Sequence, residues 1–159
     1  MRANGNIETQ NDAQQALKQS SIAATAPVRL LSVLMADDTR ANQRLVLYIL
    51  AKRGHVVAMA ETGKQAVDLL SRQDFDVVLM DLQMPVMDGF QATAAIRKLS
   101  DATKANVPIV AVTGRDLAGD REQCMLAGMD GYLSKPINRD ELIEAVERWG
   151  TNGSGATRN

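Results

Sequence analysis

Residues 75–89 read Phe75-Asp76-Val77-Val78-Leu79-Met80-Asp81-Leu82-Gln83-Met84-Pro85-Val86-Met87-Asp88-Gly89. An apolar run of strand length closes on a carboxylate, and Pro and Gly then turn the chain into a helix that Asp88 is suited to cap. Near-continuous apolar runs of this kind are strands covered on both faces, the habit of parallel sheets. Three other segments share the design: Leu30 to Met35 runs into Asp37-Asp38, Ile109 to Val112 into Thr113, and Tyr132-Leu133 into Lys135-Pro136. As parallel neighbours, these runs bring an acid pair, a further carboxylate, a hydroxyl and an ammonium to one edge of a sheet. The carboxyl edge is where open α/β sheets hold ligands.

Helical periodicity fills the intervals. Thr39 is placed to cap a helix carrying Leu45, Val46, Ile49 and Leu50, which Gly54 ends; a second strand follows at Val56 to Ala60. Thr62 caps a helix with Ala66, Val67, Leu69 and Leu70, and Asp88 one with Phe90, Ala94, Ile96 and Leu99. After a polar loop and the strand beginning at Ile109 comes a helix over 117–127 stopped by Gly128, a strand over 131–134, and a helix from Asn138 with Leu142, Ile143, Val146 and Trp149 on one stripe. Five βα units in succession require a parallel sheet with right-handed crossovers and five helices on its two faces.

The 159 residues suffice for one domain with tails. Residues 1–27 are rich in Asn, Gln, Ser, Thr and Ala and are expected to form a disordered linker or arm; 28–150 form the domain, and 151–159 a disordered tail. A formal net charge of −1 supplies no electrostatic attraction to nucleic acid or membrane. Cys124 is the single cysteine, which excludes an internal disulfide and a cysteine-built metal site. With neither a secretory pattern nor an apolar stretch near the roughly 20 residues that span a bilayer, the expected location is cytoplasmic.

Asp37 and Asp38 stand together before a helix. One could cap it, but Thr39 is available for that role, and two acids beside Asp81 repel one another. A divalent cation relieves the repulsion, and Mg²⁺ suits a site of carboxylates, waters and phosphate oxygens. Asp81 is then a carboxylate nucleophile toward phosphorus, already ionised at neutral pH, so no general base is needed. Thr113 and Lys135 supply a hydroxyl and a cation for phosphoryl oxygens. Any of these residues alone has an ordinary explanation, as a strand end, a cap or a solvated lysine; their convergence points to a phosphoacceptor site. His55 follows a helix end and reads as a surface histidine.

Asp37-Asp38, Met80-Asp81 with Met84-Pro85 and Asp88-Gly89, Thr113, and Lys135-Pro136 together resemble the receiver domain of two-component response regulators, over about Val28 to Gly150. The resemblance implies a flavodoxin-like (CheY-like), doubly wound, five-stranded parallel sheet of order 2-1-3-4-5 with five helices. It further implies Asp81 as phosphoacceptor, with Mg²⁺ or Mn²⁺ on Asp37, Asp38, Asp81 and the backbone carbonyl of Gln83. Thr113 and Lys135 would sense the phosphoryl group, and Tyr132 would be a switch aromatic coupled to Thr113, against the plainer reading of an ordinary strand aromatic. The surface of the fourth helix, fifth strand and fifth helix would carry the output.

Asn42, the stretch 119–124 and Ala127 to Tyr132 look most like receivers of hybrid sensor histidine kinases; Arg40 and Gly114 stand where such receivers often have proline and alanine. The expected partner is a histidine kinase or a histidine phosphotransfer domain. The chain is expected to be a non-enzymatic phosphoacceptor excised from a hybrid kinase, with a free-standing single-domain regulator as the alternative. A haloacid dehalogenase-like aspartyl-phosphate hydrolase is a remote third reading, since that chemistry wants an acid where Gln83 stands. A flavodoxin-like cofactor binder would want phosphate-cradling loops where Asp37-Asp38 stand.

Overall fold

The computed structural model describes residues 29–114 and 118–152. Their elements are β1 (Ser32–Ala36), α1 (Arg40–Lys52), β2 (Val56–Ala60), α2 (Gly63–Arg72), β3 (Val77–Asp81), α3 (Gly89–Arg97), the single-turn α4 (Ala102–Ala105), β4 (Ile109–Thr113), α5 (Ala118–Leu126), β5 (Gly131–Ser134) and α6 (Arg139–Asn152). All strand pairs are parallel, in the order β2-β1-β3-β4-β5 expected for the flavodoxin-like sheet. Six helices are described rather than five. The extra one, α4, is a turn that Asp101 caps by accepting from the Thr103 and Lys104 N–H groups, too short to carry a periodicity in sequence.

Alternation along the strands sorts the buried side chains into two layers. Leu34, Val78, Met80, Ile109 and Ala111 pack against Ala66 and Leu70 of α2, Ala92 and Ile96 of α3, and Cys124 of α5. Val33, Met35, Leu79, Val110 and Val112 pack against Val46, Ile49 and Leu50 of α1 and Leu142 and Val146 of α6. Near-continuous apolar strands are therefore explained by helices on both sides.

The helix ends follow local chemistry. Thr62 accepts from Gln65 N–H, and Asp88 with Gln91 forms a reciprocal capping box. Gly54 and Gly128, at φ +87° and +98°, end α1 and α5 in a conformation that suits glycine. Thr39 is the N-cap of α1 but makes no side-chain cap bond; its N–H is instead taken by the Asp37 carboxylate at 2.7 Å. Leu30, expected in the first strand, lies outside it and is 65% exposed, since the ladder with β2 begins at Ser32↔Val56. At the other end α6 runs to Asn152, two residues into the expected tail, and the Thr151 hydroxyl bonds the Glu147 and Arg148 carbonyls. The expected arm over 1–27 and the rest of the tail, 153–159, lie outside the described residues. Among the described residues no helix is long and apolar enough to cross a membrane.

Arg97 binds the lower end of one layer. Its guanidinium donates to the carbonyls of Ala105, Val107 and Gly128 and to the Asp130 carboxylate, which also accepts Ile109 N–H at 2.8 Å. One planar fork with five donors thereby ties α3 to the segments on both sides of β4.

His55 is not on the surface. It is 4% exposed, and its Nδ1 accepts the Leu31 N–H at 3.1 Å while Nε2 lies 3.2 Å from Glu147 Oε1. Because Nδ1 accepts, the proton of the neutral ring sits on Nε2 and points at Glu147, which also pairs with Arg53 at 2.7 Å. The ring thus joins Leu31, the residue before β1, to α6. His55→Phe keeps an aromatic plate but leaves the Leu31 N–H without its acceptor. A loss of about 1–3 kcal/mol in denaturant unfolding is expected, the usual cost of stranding a buried donor.

Candidate functional site

Sheet register assembles the site. Asp81 ends β3, and Ala36 pairs with Met80, so Asp37 leaves β1 beside Asp81. The Asp37 N–H is fixed to the Ala60 carbonyl at 3.0 Å. On the other side Thr113 ends β4 opposite Ser134, and its carbonyl accepts Lys135 N–H at 2.8 Å, which carries the lysine to the same edge. The Lys135–Pro136 peptide is cis.

Asp37 is wholly buried, Asp81 is 4% exposed, and Asp38 faces solvent. One carboxylate oxygen of each lies within 4.8 Å of those of the other two. Lys135 Nζ bridges the buried pair, 3.3 Å from Asp37 Oδ2 and 3.2 Å from Asp81 Oδ2. Asp81 Oδ1 accepts the Gln83 N–H at 3.1 Å. A cleft of about 470 Å³ opens over this edge, bordered by Asp38, Asp81, Gln83, Thr113, Gly114 and Lys135.

Burial raises the Asp81 carboxyl above its ordinary range, and the neighbouring Asp37 charge adds to this; the Gln83 N–H and the Lys135 ammonium pull the other way and fall short. For Lys135 burial favours the neutral amine, but the charges of Asp81 and Asp37 outweigh it and raise the pKa, so the ammonium is held. Three carboxylates face one ammonium, which leaves an excess of negative charge suited to a hard divalent cation with oxygen ligands.

The loop after Asp81 is set by backbone. Met87 N–H donates to the Pro85 carbonyl at 2.7 Å, a three-residue turn that holds Val86 at φ +69° with its side chain 82% exposed. A β-branched residue there is strained, and the surrounding contacts hold it. Gly63 N–H donates to the Met87 carbonyl at 3.0 Å, and a Cβ on Gly63 would stand 2.5 Å from that oxygen. A Cβ on Gly89 would collide with the Asp81 carbonyl.

All of the expected site residues, Asp37, Asp38, Asp81, Gln83, Thr113 and Lys135, therefore meet at one edge. Tyr132 is half-buried, packs against the core layer of α2, α3 and α5, and borders a second cleft of about 490 Å³ between α5 and α6 that Arg121, Glu144 and Trp149 also line. Two features escaped sequence reasoning. Gly63 carries no expectation in the sequence analysis, although glycine directly after a cap is a signal for close backbone approach. The first turn of α1 also grips Asp37: Asn42 Nδ2 donates to Asp37 Oδ2 at 3.1 Å, and Gln43 Nε2 to the Asp37 carbonyl.

The response regulator receiver domain family matches residues 33–147. The chain belongs to that family. Among curated relatives, this receiver domain is 40% identical over 119 residues to hybrid signal transduction histidine kinase I of Dictyostelium discoideum, covering 72% of the chain and 7% of the relative. It is 42% identical over 118 residues to sensor protein GacS of Pseudomonas syringae pv. syringae, covering 74% and 13%. The chain thus spans a small fraction of these relatives, and its likeness is to the receivers of hybrid histidine kinases. Among solved structures, the receiver domain of a sensor histidine kinase from Pseudomonas aeruginosa PAO1, with a magnesium ion coordinated in its active-site cleft, superimposes with a TM-score of 0.70 at 39% identity, covering 77% of this chain and 98% of that one. A chain in the co-crystal of the Saccharomyces cerevisiae phosphotransfer protein Ypd1 with the receiver domain of Ssk1 also gives 0.70, at 29% identity, covering 77% and 90%.

Stability measurements on three substitutions probe this receiver site. Folding raises the Asp81 pKa, so the folded chain binds that proton more tightly than the unfolded one. The resulting penalty is absent below the unfolded carboxylate range and complete above the folded pKa. At neutral pH in EDTA, Asp81→Asn removes the penalised charge and is expected to unfold a few degrees higher, on the order of the shift that ~1 kcal/mol gives a domain of this size. Gly63→Ala forces the Met87 carbonyl aside and is expected to cost about 1–3 kcal/mol. Gly114→Ala meets no described atom within 4 Å and is expected to leave the denaturation midpoint unchanged.

Proposed function

We propose that this receiver domain accepts a phosphoryl group from a phosphohistidine onto Asp81. The observation that carries the proposal is the gathering of one oxygen each from Asp37, Asp38 and Asp81 within 4.8 Å, with Lys135 bridging the two buried acids. In the reaction a carboxylate oxygen of Asp81 forms a bond to phosphorus as the phosphorus–nitrogen bond breaks, and the electron pair leaves with the imidazole. Positioning and charge neutralisation are what this transfer requires of the protein. Lys135 releases part of its hold on Asp81 to a phosphoryl oxygen, and the Thr113 hydroxyl takes another. Asp37, Asp38, Asp81 and the Gln83 carbonyl are the proposed ligands of Mg²⁺ or Mn²⁺, which when bound supplies positive charge to the remaining phosphoryl oxygen.

Readout follows from the same contacts. Thr113 moving toward the phosphoryl group frees space that Tyr132 fills, which changes the face of α5, β5 and α6; the cleft between those helices, with Tyr132 on its border, supports that route. The donor is a histidine kinase or a histidine phosphotransfer domain, a reading supported by the Ypd1–Ssk1 neighbour. Similarity to hybrid histidine kinases supports a parent of that kind, with residues 1–27 as an interdomain linker and a cytoplasmic location. The domain acts as a phosphoacceptor that assists its own phosphorylation and dephosphorylation.

The test is intact mass after incubation with Mg²⁺ and a small acyl-phosphate donor. Wild type is expected to gain one phosphoryl group, with no gain in EDTA or in Asp81→Asn. A gain in the variant would remove Asp81 as the acceptor, and no gain in either protein would sink the reading for small donors and direct the test to a phosphohistidine protein.

A further inference from the structure

We infer that Asn42 is a positioning residue for cation binding, acting through Asp37. The inference rests on the metal site proposed above and deepens it. Asp37 is wholly buried, and a buried carboxylate needs donors on both oxygens. Oδ1 receives the Thr39 N–H at 2.7 Å, at the N-terminus of α1 where the helix favours negative charge. Oδ2 is shared by two groups of different kind, the Lys135 ammonium at 3.3 Å and the Asn42 amide at 3.1 Å. Asn42 is the one neutral side chain among these donors. Lys135 also contacts Asp81 at 3.2 Å, so its position depends on what Asp81 carries. The Asn42 amide has no such second duty in the cluster.

The consequence is a division of labour. When Lys135 turns to a phosphoryl oxygen, Asp37 keeps a fixed orientation only if Asn42 holds Oδ2. Gln43, next along the same helical turn, holds the Asp37 backbone carbonyl, so side chain and main chain are anchored to one rigid element. Residues that orient a metal ligand through a hydrogen bond typically contribute 10–100-fold to affinity. Without the amide, the carboxylate turns toward Lys135, and the orientation in which it faces the cation is populated less.

The measurement is Mn²⁺ affinity of the full chain, read from the electron paramagnetic resonance of the free ion, for wild type, Asn42→Ala, Asn42→Ser and Asp81→Asn. Alanine is a better helix former than asparagine, so α1 itself is not weakened, and cooperative unfolding in EDTA checks that each variant folds. Asn42→Ala is expected to bind Mn²⁺ about tenfold more weakly, with Asn42→Ser, whose hydroxyl donor is shorter, in between. The Mg²⁺ concentration for half-maximal phosphorylation by a small acyl phosphate rises by the same factor, while the rate at saturating Mg²⁺ stays within about twofold. Wild-type Mn²⁺ affinity in Asn42→Ala, with affinity lost in Asp81→Asn, would overturn the role of Asn42 and leave the site intact. Unchanged affinity in Asp81→Asn as well would overturn the metal site itself. A fall in saturated rate without a change in metal affinity would make Asn42 a structural residue only.

Discussion

Two carboxylates, Asp37 and Asp81, are buried at one edge of a sheet and held by a single bridging ammonium, and this arrangement constrains everything around it. Burying a charge is costly unless it is paired and hydrogen-bonded. Asp37 meets the requirement through Thr39, Asn42 and Lys135; Asp81 meets it only in part, and its raised pKa records the shortfall. The sheet core could have been built without these acids. Their presence means that the loops after β1, β3 and β5 must converge to within hydrogen-bonding distance, and the parallel register of β1, β3, β4 and β5 is what allows it.

Much of this was legible in the chain because the signals were periodic or chemical. The apolar runs 77–80 and 109–112 are too continuous for one-sided strands, and the layers on both faces explain them. The caps Thr62 and Asp88 announced themselves by residue type and spacing, as did the positive-φ glycines 54 and 128. The acid pair, Asp81, Thr113 and Lys135 could be gathered by assuming parallel strands and nothing more.

What was not legible depended on distant partners. His55 looked like a solvated residue after a glycine, and only the packing of α6 reveals that Leu31 and Glu147 take both of its nitrogens. Thr39 stands at the N-cap as its residue type suggests, but its hydroxyl makes no cap bond, and its own N–H serves the upstream Asp37 carboxylate. The short helix at Ala102–Ala105 rests on one aspartate and is below the length at which any period registers. Val86 is a further case: no propensity favours valine at φ +69°, and the turn is imposed by Gly63 and Gly89 admitting the loop from two sides.

The division of buried side chains into two layers has a consequence for how the domain tolerates change. Each strand contributes alternate residues to opposite sides, so the α1–α6 side and the α2–α3–α5 side share backbone and almost no side-chain surface. A volume change at Val46 is absorbed among Ile49, Leu50, Leu142 and their neighbours, and reaches Ile96 only as a displacement of the sheet itself. The acid cluster sits at the rim where both sides end, with Asp37 entering α1 and Asp81 leading to α3. The two halves of the interior are thus free to drift in sequence independently, while the rim registers any change in how they are aligned.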